Sequence, residues 1–157
     1  MTQATLARGN SLAVVRNADF KGARVMTTLA VSAGELLAQV SGYREVNAAT
    51  RFSVQVGVDR HIEGLDDLAY LNHSCAPNVF FNTMQLTVTA LRDITAGEEL
   101  SFFYPSTEWQ MAEPFQCLCL SPECVGVIGG AVALSDEQLS RYEMNAHIRT
   151  LRQAQFI

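Results

Sequence analysis

Four cysteines, the chain's full complement, are the residues whose types and spacing point most directly to chemistry. Cys75 ends an Asn-His-Ser-Cys segment, and the other three form a Cys-x-Cys-x₄-Cys cluster at Cys117, Cys119 and Cys124. Thiolates grouped in this way are typical ligands of a single tetrahedral zinc ion. The pattern therefore predicts one zinc site built from both parts of the sequence.

Two disulfides are the alternative use of the same cysteines. Cys117 and Cys119 are too close in sequence to pair comfortably with each other, but each could pair with Cys75 or Cys124. The segment from Met1 to Asn10 lacks the basic start and apolar core of a secretory leader, so an oxidising compartment is not indicated. This favours zinc over disulfides.

The acidic pair Glu98 and Glu99 is the next candidate for chemistry. Neighbouring residues on a strand face opposite ways, so the two carboxylates would not converge on one substrate. We interpret them as turn and salt-bridge residues.

Two segments of the chain are similar to each other: Ala33-Gly34-Glu35-x-Leu37 and Ala96-Gly97-Glu98-x-Leu100. Both indicate a tight turn that leads into a strand.

Three motifs in a fixed order carry a family resemblance. They are Asn72-His-Ser-Cys-Ala-Pro-Asn78, Ala96-Gly-Glu-Glu-Leu-Ser-Phe-Phe-Tyr104, and Cys117-x-Cys119-x₄-Cys124-x-Gly126. In this order and spacing the chain resembles the SET domain with its post-SET zinc segment, a family of protein lysine methyltransferases. The resemblance runs from about Asn17 to Gly130. It implies a mainly β fold, with several small sheets around a knot-like crossing, the zinc segment and a C-terminal α-helix.

The resemblance also implies a cofactor site. S-adenosyl-L-methionine would be the methyl donor and S-adenosyl-L-homocysteine the product, with Zn²⁺ bound by the four cysteines. Tyr104 matches the catalytic tyrosine, whose hydroxyl lies beside the transferred methyl group; the structural alternative is a core tyrosine closing a strand before Pro105. The cofactor-binding positions implied are Lys21, Gly22, Ala23, Asn72, His73, Tyr104 and Leu118. The substrate-channel positions are Tyr70, Phe102 and Trp109.

Three positions depart from the family pattern. Val40 stands where many members carry a tyrosine. Arg24 replaces a glycine of the cofactor loop, so its side chain must point away from the cofactor if the backbone is to approach closely. Leu120 follows Cys119 where a glycine is common in the family.

The function that the resemblance implies is transfer of a methyl group to a lysine ε-amine of a protein. Burial in an apolar passage would keep that amine neutral and able to react. Two alternatives stay open at this point: the same scaffold acting on a small molecule with S-adenosylmethionine, and a non-catalytic SET module that binds proteins.

Composition limits the classes of partner. The chain has 157 residues, of which 48% are apolar, and a net charge of −5. We expect one globular unit, divided into a SET domain over residues 1–110, a post-SET zinc-binding segment over 111–130 and a C-terminal helix over 131–157. The acidic balance and the lack of a membrane-length apolar run predict no nucleic-acid or membrane partner and favour a cationic, lysine-bearing one. The expected location is intracellular, in the cytoplasm, or in the nucleus if the host is eukaryotic.

The elements that must position these residues are mostly short strands. Alternating or β-branched runs predict strands over 11–16, 24–29, 35–40 and 52–58, and a hairpin over 79–91 that turns between Asn82 and Gln85. Ser135 to Gln138 has the pattern of a capping box. The apolar stripe behind it predicts one amphipathic helix from Asp136 to about Gln153, packed on the domain or on a second copy. The oligomeric state is not predicted.

Overall fold

The computed structural model describes residues 5–6, 12–16 and 22–155. In chain order the strands are β1 (Thr5–Leu6), β2 (Leu12–Arg16), β3 (Ala23–Thr27), β4 (Leu36–Gln39), β5 (Arg44–Val46), β6 (Val54–Gly57), β7 (Arg60–Glu63), β8 (Asn72–His73), β9 (Val79–Asn82), β10 (Thr87–Ala90), β11 (Glu99–Phe102), β12 (Phe115–Gln116) and β13 (Val127–Ile128). The α-helices are α1 (Asp136–Leu139) and α2 (Ala146–Ala154). Short 3₁₀ segments cover Asp66–Tyr70, Tyr104–Ser106 and Ala131–Ala133.

The strands form four small sheets, with the strand orders β1-β4-β10-β9, β2-β3-β11-β8, β5-β7-β6 and β12-β13. Nearly all pairs are antiparallel, but β8 and β11 run parallel, with Asn72 opposite Ser101 and His73 opposite Phe102. This pair lays two of the three sequence motifs side by side. The predicted mainly β fold of several small sheets is confirmed.

The turns that the sequence predicts are present. Gly34 and Gly97 both have positive φ, +84° and +89°, a backbone conformation that glycine adopts without strain. The hairpin of β9 and β10 is also present. Its turn is held by Asn82, whose Oδ1 accepts hydrogen bonds from the backbone amides of Met84 at 3.0 Å and Gln85 at 2.9 Å.

Among the described residues, the buried apolar side chains form two cores. The first is formed by the larger sheets and includes the fully buried Phe81 and Leu100. The second joins the cysteine cluster to the C-terminal helices through residues such as Ile128 and Ile148. Tyr104 packs against both cores, so the boundary between them runs past this side chain. The three-part division of the chain made from the sequence stays a prediction.

The C-terminal segment corrects one prediction. The capping box at Ser135 and Gln138 is present, but the single helix expected from Asp136 to about Gln153 is divided into α1 and α2. Residues 140–145 separate the two helices, and Asn145, which directly precedes α2, has extended dihedrals, φ −75° and ψ 156°.

The cause of the break is tertiary. The buried Asn145 amide donates to the carbonyls of Phe81 and Ser106, both at 2.9 Å, and accepts from the Thr83 amide at 2.9 Å. These bonds stabilise the extended backbone at the expense of a continuous helix.

Within the residues that the structure describes, no helix has the length and apolarity needed to cross a membrane.

Candidate active site

A cleft of about 1180 Å³ opens beside Tyr104. Most of the residues that the resemblance assigned to the cofactor and substrate line it: Gly22, Ala23, Tyr70, Asn72, His73, Phe102, Tyr104 and Leu118. Lys21 lies outside the described residues. Arg24 is exposed and is not part of the cleft wall, as its position in the cofactor loop requires.

Trp109, expected in the substrate channel, is not among the residues that line the cleft. Its side chain packs against the second core, and its backbone amide donates to Gln55 Oε1 at 2.9 Å. The indole of Trp109 therefore belongs to the second core rather than to the cleft wall.

Tyr104 lies two residues after the end of β11 and starts a 3₁₀ turn. Its hydroxyl donates to the Leu71 carbonyl at 2.6 Å, and its ring centroid lies 4.9 Å from that of Phe102. Burial, together with the carboxylates of Glu108 and Glu99, raises the pKa of Tyr104. The phenol is therefore protonated at neutral pH, and its O–H is a fixed donor within the cleft.

His73 connects the cleft to the cysteines. Its Nδ1 accepts a hydrogen bond from the Tyr104 amide at 3.1 Å, and its Nε2 lies 3.3 Å from Cys75 Sγ. Burial lowers the pKa of His73 to about 4, so the ring is neutral near pH 7. Because Nδ1 accepts from an amide, the single ring proton belongs on Nε2, where it is directed at the sulfur. The imidazole holds position rather than transferring protons.

Asn72 joins the parallel pair to the N-terminal strands. Its Nδ2 donates to the Ala23 carbonyl and to Glu99 Oε2, both at 2.9 Å. The nearby Asn78 side chain donates to the Glu99 carbonyl at 2.8 Å and accepts from the Ser101 amide at 2.9 Å. Two asparagines thus bind the β8 loop to β11 and β3, and Asn72 forms part of the floor of the cleft.

The four cysteines converge next to this floor. Their Sγ atoms all lie within 4.8 Å of one another, and all four are free thiols. The Cys75 and Cys117 sulfurs are 3.9 Å apart, and a tetrahedral zinc with Zn–S bonds near 2.3 Å separates its sulfurs by about 3.8 Å. The Val125 amide also points at Cys75 Sγ, at 3.5 Å. The donor set and its spacing fit one tetrahedral ion.

Two carboxylates of the cleft were not identified from the sequence. Glu99, interpreted from the sequence as a turn or salt-bridge residue, lines the cleft and accepts from Asn72. Glu98 forms the expected salt bridge, with Arg92, at 3.3 Å. Glu108 is only 7% exposed and also lines the cleft. No motif or spacing in the sequence marks Glu108, because its burial depends on segments far away along the chain.

Glu108 is held by two donors. Its Oε2 accepts from the Gln55 amide at 2.9 Å and from Thr107 Oγ1 at 2.7 Å. Burial raises the pKa of Glu108 to about 7, although these two hydrogen bonds oppose the shift. A buried acid that titrates near neutral pH, in the wall of a cleft, is a typical feature of functional sites.

Comparisons with known proteins agree with this geometry. A family model described as the SET domain matches residues 22–105. A protein named methyltransferase flvH, from Aspergillus flavus, is 38% identical over 143 residues, which cover 90% of this chain and 80% of that protein. An H3 lysine-36-specific histone-lysine N-methyltransferase from Aspergillus oryzae is 40% identical over 67 residues, 39% of this chain and 7% of that enzyme.

Solved structures show the same fold. A crystal structure of KRYPTONITE in complex with mCHH DNA, an H3(1-15) peptide and SAH aligns with a TM-score of 0.55 at 20% identity, over 74% of this chain and 29% of that one. A second, with mCHG DNA and SAH, aligns with a TM-score of 0.59 at 21% identity, over 74% of this chain and 28% of that one.

The family match includes the loop at Asn72, the strand β11 and Tyr104, which are the parts of the chain that build the cleft. The match to flvH covers more of the chain than the family model does. Its 38% identity over 90% of this chain places the two proteins in one family. The chain therefore belongs to the SET domain family of S-adenosylmethionine-dependent methyltransferases.

Proposed function

We propose that this chain transfers a methyl group from S-adenosylmethionine to a lysine ε-amine of a protein. The observation that carries the proposal is the Tyr104 hydroxyl, held by the Leu71 carbonyl at 2.6 Å inside an aromatic-walled cleft. When bound, S-adenosylmethionine supplies a methyl group already activated by a sulfonium. The protein has to bind that cofactor, align a neutral amine with it and exclude water.

The residues of the cleft suit these tasks. Gly22, Ala23 and Leu118 would contact the cofactor, with Asn72 keeping the loop and strand at the right separation. The Tyr104 hydroxyl and the Leu71 carbonyl form a polar pair that can orient an amine. Phe102, Tyr70 and the ring of Tyr104 supply the apolar surface that favours the neutral, reactive form of that amine.

We also infer that Cys75, Cys117, Cys119 and Cys124 bind one Zn²⁺ as thiolates, on the basis of their separation. Cys117 and Cys119 lie on either side of Leu118 in the cleft wall. A metal at this point would hold the C-terminal segment against the β8 loop and so complete one side of the cofactor site. The proposed functional division is a SET domain over 1–110, this zinc segment over 111–130 and a C-terminal part over 131–157.

A small-molecule amine is the second candidate substrate. The relative that matches 90% of this chain carries only the name methyltransferase, whereas the histone-lysine relative quoted above matches 39% of it. The segment between β4 and β8 is also short, since it holds only the three-stranded sheet β5-β7-β6 and one 3₁₀ segment. It therefore offers little surface for reading a protein sequence.

Two assays separate these possibilities. Calorimetry with S-adenosylhomocysteine measures cofactor binding, and labelled S-adenosylmethionine measures transfer to an H3 peptide, poly-L-lysine or free lysine. Binding followed by label on the peptide or polymer supports the proposal, and label only on free lysine favours the small-molecule candidate. Binding without transfer to any acceptor would indicate a non-catalytic module. Failure to bind S-adenosylhomocysteine would contradict the proposed activity.

A further inference from the structure

The buried carboxylate of Glu108 has no place in the function described so far. It lies two residues after the 3₁₀ turn Tyr104–Ser106, and its backbone amide donates to the Tyr104 carbonyl at 2.9 Å. Its Oε2 uses both available donors, Gln55 and Thr107. Within the described part of the chain, the only hydrogen bonds to the Glu108 carboxylate are the two at Oε2, and Glu108 forms no ion pair. Oε1 is also not one of the fully buried polar atoms that lack a partner, so it is accessible. One carboxylate oxygen is therefore available in a cleft beside Tyr104.

We propose that Glu108 is the anionic group of the amine site: its free oxygen binds the ammonium form of the incoming amine and accepts its proton before methyl transfer. The inference rests on the proposed methylation of an amine. In this step one N–H bond of the ammonium breaks and one O–H bond forms on the carboxylate. The products are a neutral amine and a neutral carboxylic acid, and neither an oxidant nor a further reactant is needed.

The chemistry of the cleft supplies the reason for such a group. An amine enters from water as a cation, and the sulfonium it approaches is also a cation, so an unopposed pair would repel each other strongly at low dielectric. A carboxylate at this position offsets that repulsion as the amine enters. Proton transfer then converts a buried ion pair into two neutral groups, which a low-dielectric site favours.

The balance of protonation also suits the task. A proton acceptor works best when its pKa lies near the working pH, and burial raises the pKa of Glu108 to about 7. Other titratable or charged groups lie around Glu108: Tyr104, His73 and Glu99 in the cleft, His147 behind the Thr107 carbonyl, His61 on the strand paired with Gln55, and the exposed Arg51. Burial lowers the pKa of His61, His73 and His147, so all three are neutral where Glu108 ionises.

The test measures recognition of a cation without relying on turnover. Sinefungin, a cofactor analogue that carries an amine in place of the sulfonium methyl, places an ammonium at the reaction centre, whereas S-adenosylhomocysteine is uncharged there. Calorimetry at pH 6 and pH 8 gives the affinity ratio of the two ligands for the wild type and for Glu108→Gln. The glutamine is isosteric and its oxygen can still accept from Gln55 and Thr107, so the fold is expected to survive. Glu113→Gln removes an exposed carboxylate from the same cleft and serves as the matched control.

In the wild type and in Glu113→Gln we expect the preference for sinefungin to increase about tenfold from pH 6 to pH 8 as Glu108 ionises. In Glu108→Gln the preference should be lost and should not depend on pH, with S-adenosylhomocysteine bound as in the wild type. A Glu108→Gln protein that binds S-adenosylhomocysteine normally and keeps the wild-type ratio at both pH values would overturn the inference.

The same experiment keeps this inference separate from the proposed substrate. A wild type that shows the Glu108-dependent preference but transfers no methyl group to any lysine acceptor supports the role of Glu108 as an ammonium site and contradicts protein-lysine methylation. A wild type that methylates poly-L-lysine while the ratio is independent of Glu108 supports the activity and overturns the inference. If Glu108→Gln does not fold, Glu108→Asp, which keeps the charge on a shorter side chain, should retain a pH-dependent preference; a preference independent of pH in that variant would count against Glu108.

Discussion

His73 and Cys75 are in contact: the Nε2 atom of the imidazole lies 3.3 Å from the sulfur, while its Nδ1 accepts from the Tyr104 amide at 3.1 Å. One neutral ring therefore joins the turn that carries the proposed catalytic tyrosine to the proposed metal centre. An N–H directed at a thiolate is a typical outer contact of a metal ligand, because it orients the sulfur and offsets part of its charge. Loss of the metal is expected to disturb the cleft as well as the cysteine segment.

Metal content is the first prediction. We expect about one zinc per chain by elemental analysis, because four sulfurs at this spacing match a tetrahedral thiolate site. Removal of the metal with a chelator should increase hydrogen exchange over residues 115–128 and weaken the binding of S-adenosylhomocysteine, while the β9–β10 hairpin stays protected. Protein purified under reducing conditions with far less than one zinc per chain, and with unchanged exchange after chelation, would contradict the site.

The second prediction concerns Asn72. Its side chain bonds to both Ala23 and Glu99. Because Asn72 is exposed, Asn72→Ala is expected to weaken S-adenosylhomocysteine binding by about 1 kcal/mol, the net value of an ordinary hydrogen bond. Calorimetry measures the change. Asn47→Ala, at an exposed position outside the cleft wall, is the control. Equal affinity in Asn72→Ala and Asn47→Ala would mean that the asparagine has a structural role alone.

Phe102 leads to a prediction about the number of methyl groups added. Its ring contacts Tyr104 and Phe81, with centroids 4.9 Å and 5.8 Å away, and lines the cleft. Phenylalanine leaves space for an already methylated amine to turn and react again, so with a lysine substrate we expect di- or trimethylated product. A hydroxyl in Phe102→Tyr would fill that space and shift the product towards monomethyl-lysine.

Mass spectrometry of the peptide product from both proteins measures the shift. The melting temperature of Phe102→Tyr is the control, because a buried hydroxyl without a partner would lower stability instead. A stable, active Phe102→Tyr protein that gives the wild-type distribution of products would contradict this role.

Glu108 leads to a prediction about stability and pH. Burial raises its pKa to about 7, from an ordinary value of 4.5. A raised carboxyl pKa means that the folded state binds the proton more tightly, so its contribution to stability is complete below about pH 4.5 and is lost as the pH rises through about 7. The full difference corresponds to about 3 kcal/mol.

Glu108→Gln carries no such charge. Relative to the wild type, its free energy of unfolding should therefore increase as the pH is raised from 5 to 8, and denaturant titrations across this range measure the difference. The comparison between the two proteins cancels the titration of groups that they share. Glu113→Gln, which removes an exposed and solvent-screened charge, should give a flat difference. A flat difference for Glu108→Gln as well would show that its carboxyl is not buried in solution.

The parts of the site that could be predicted from the sequence lie within short, contiguous motifs. Asn72, His73 and Cys75 share one loop, and Phe102 and Tyr104 lie at the end of one strand, so local spacing was enough to bring them to the cleft. One departure from the family pattern lies at a position that favours glycine. Leu120 adopts a positive φ of 59°, which accounts for the glycine common at this position in the family.

What the sequence did not predict depends on distant contacts. Glu108 is buried in the cleft wall, where its carboxylate accepts a hydrogen bond from the Gln55 amide, 53 residues away along the chain. The C-terminal helix is interrupted because Asn145 is held by Phe81 and Ser106, although its own segment has a continuous apolar stripe. Trp109, which the family resemblance assigned to the substrate channel, packs against the second core and does not line the cleft. In each case contacts with distant segments decide the position of the residue, and the local sequence pattern does not show them.

The central claim is that Tyr104 positions methyl transfer from S-adenosylmethionine, and Tyr104→Phe tests it most directly. The change removes only the hydroxyl that donates to Leu71, so the aromatic wall and the cofactor contacts remain. Methyl transfer to poly-L-lysine should be measured with labelled S-adenosylmethionine for the wild type and for Tyr104→Phe, at saturating cofactor. We predict transfer by the wild type and a loss of about a hundredfold or more in kcat for the variant, with S-adenosylhomocysteine affinity unchanged. Equal turnover by the two proteins would contradict the account.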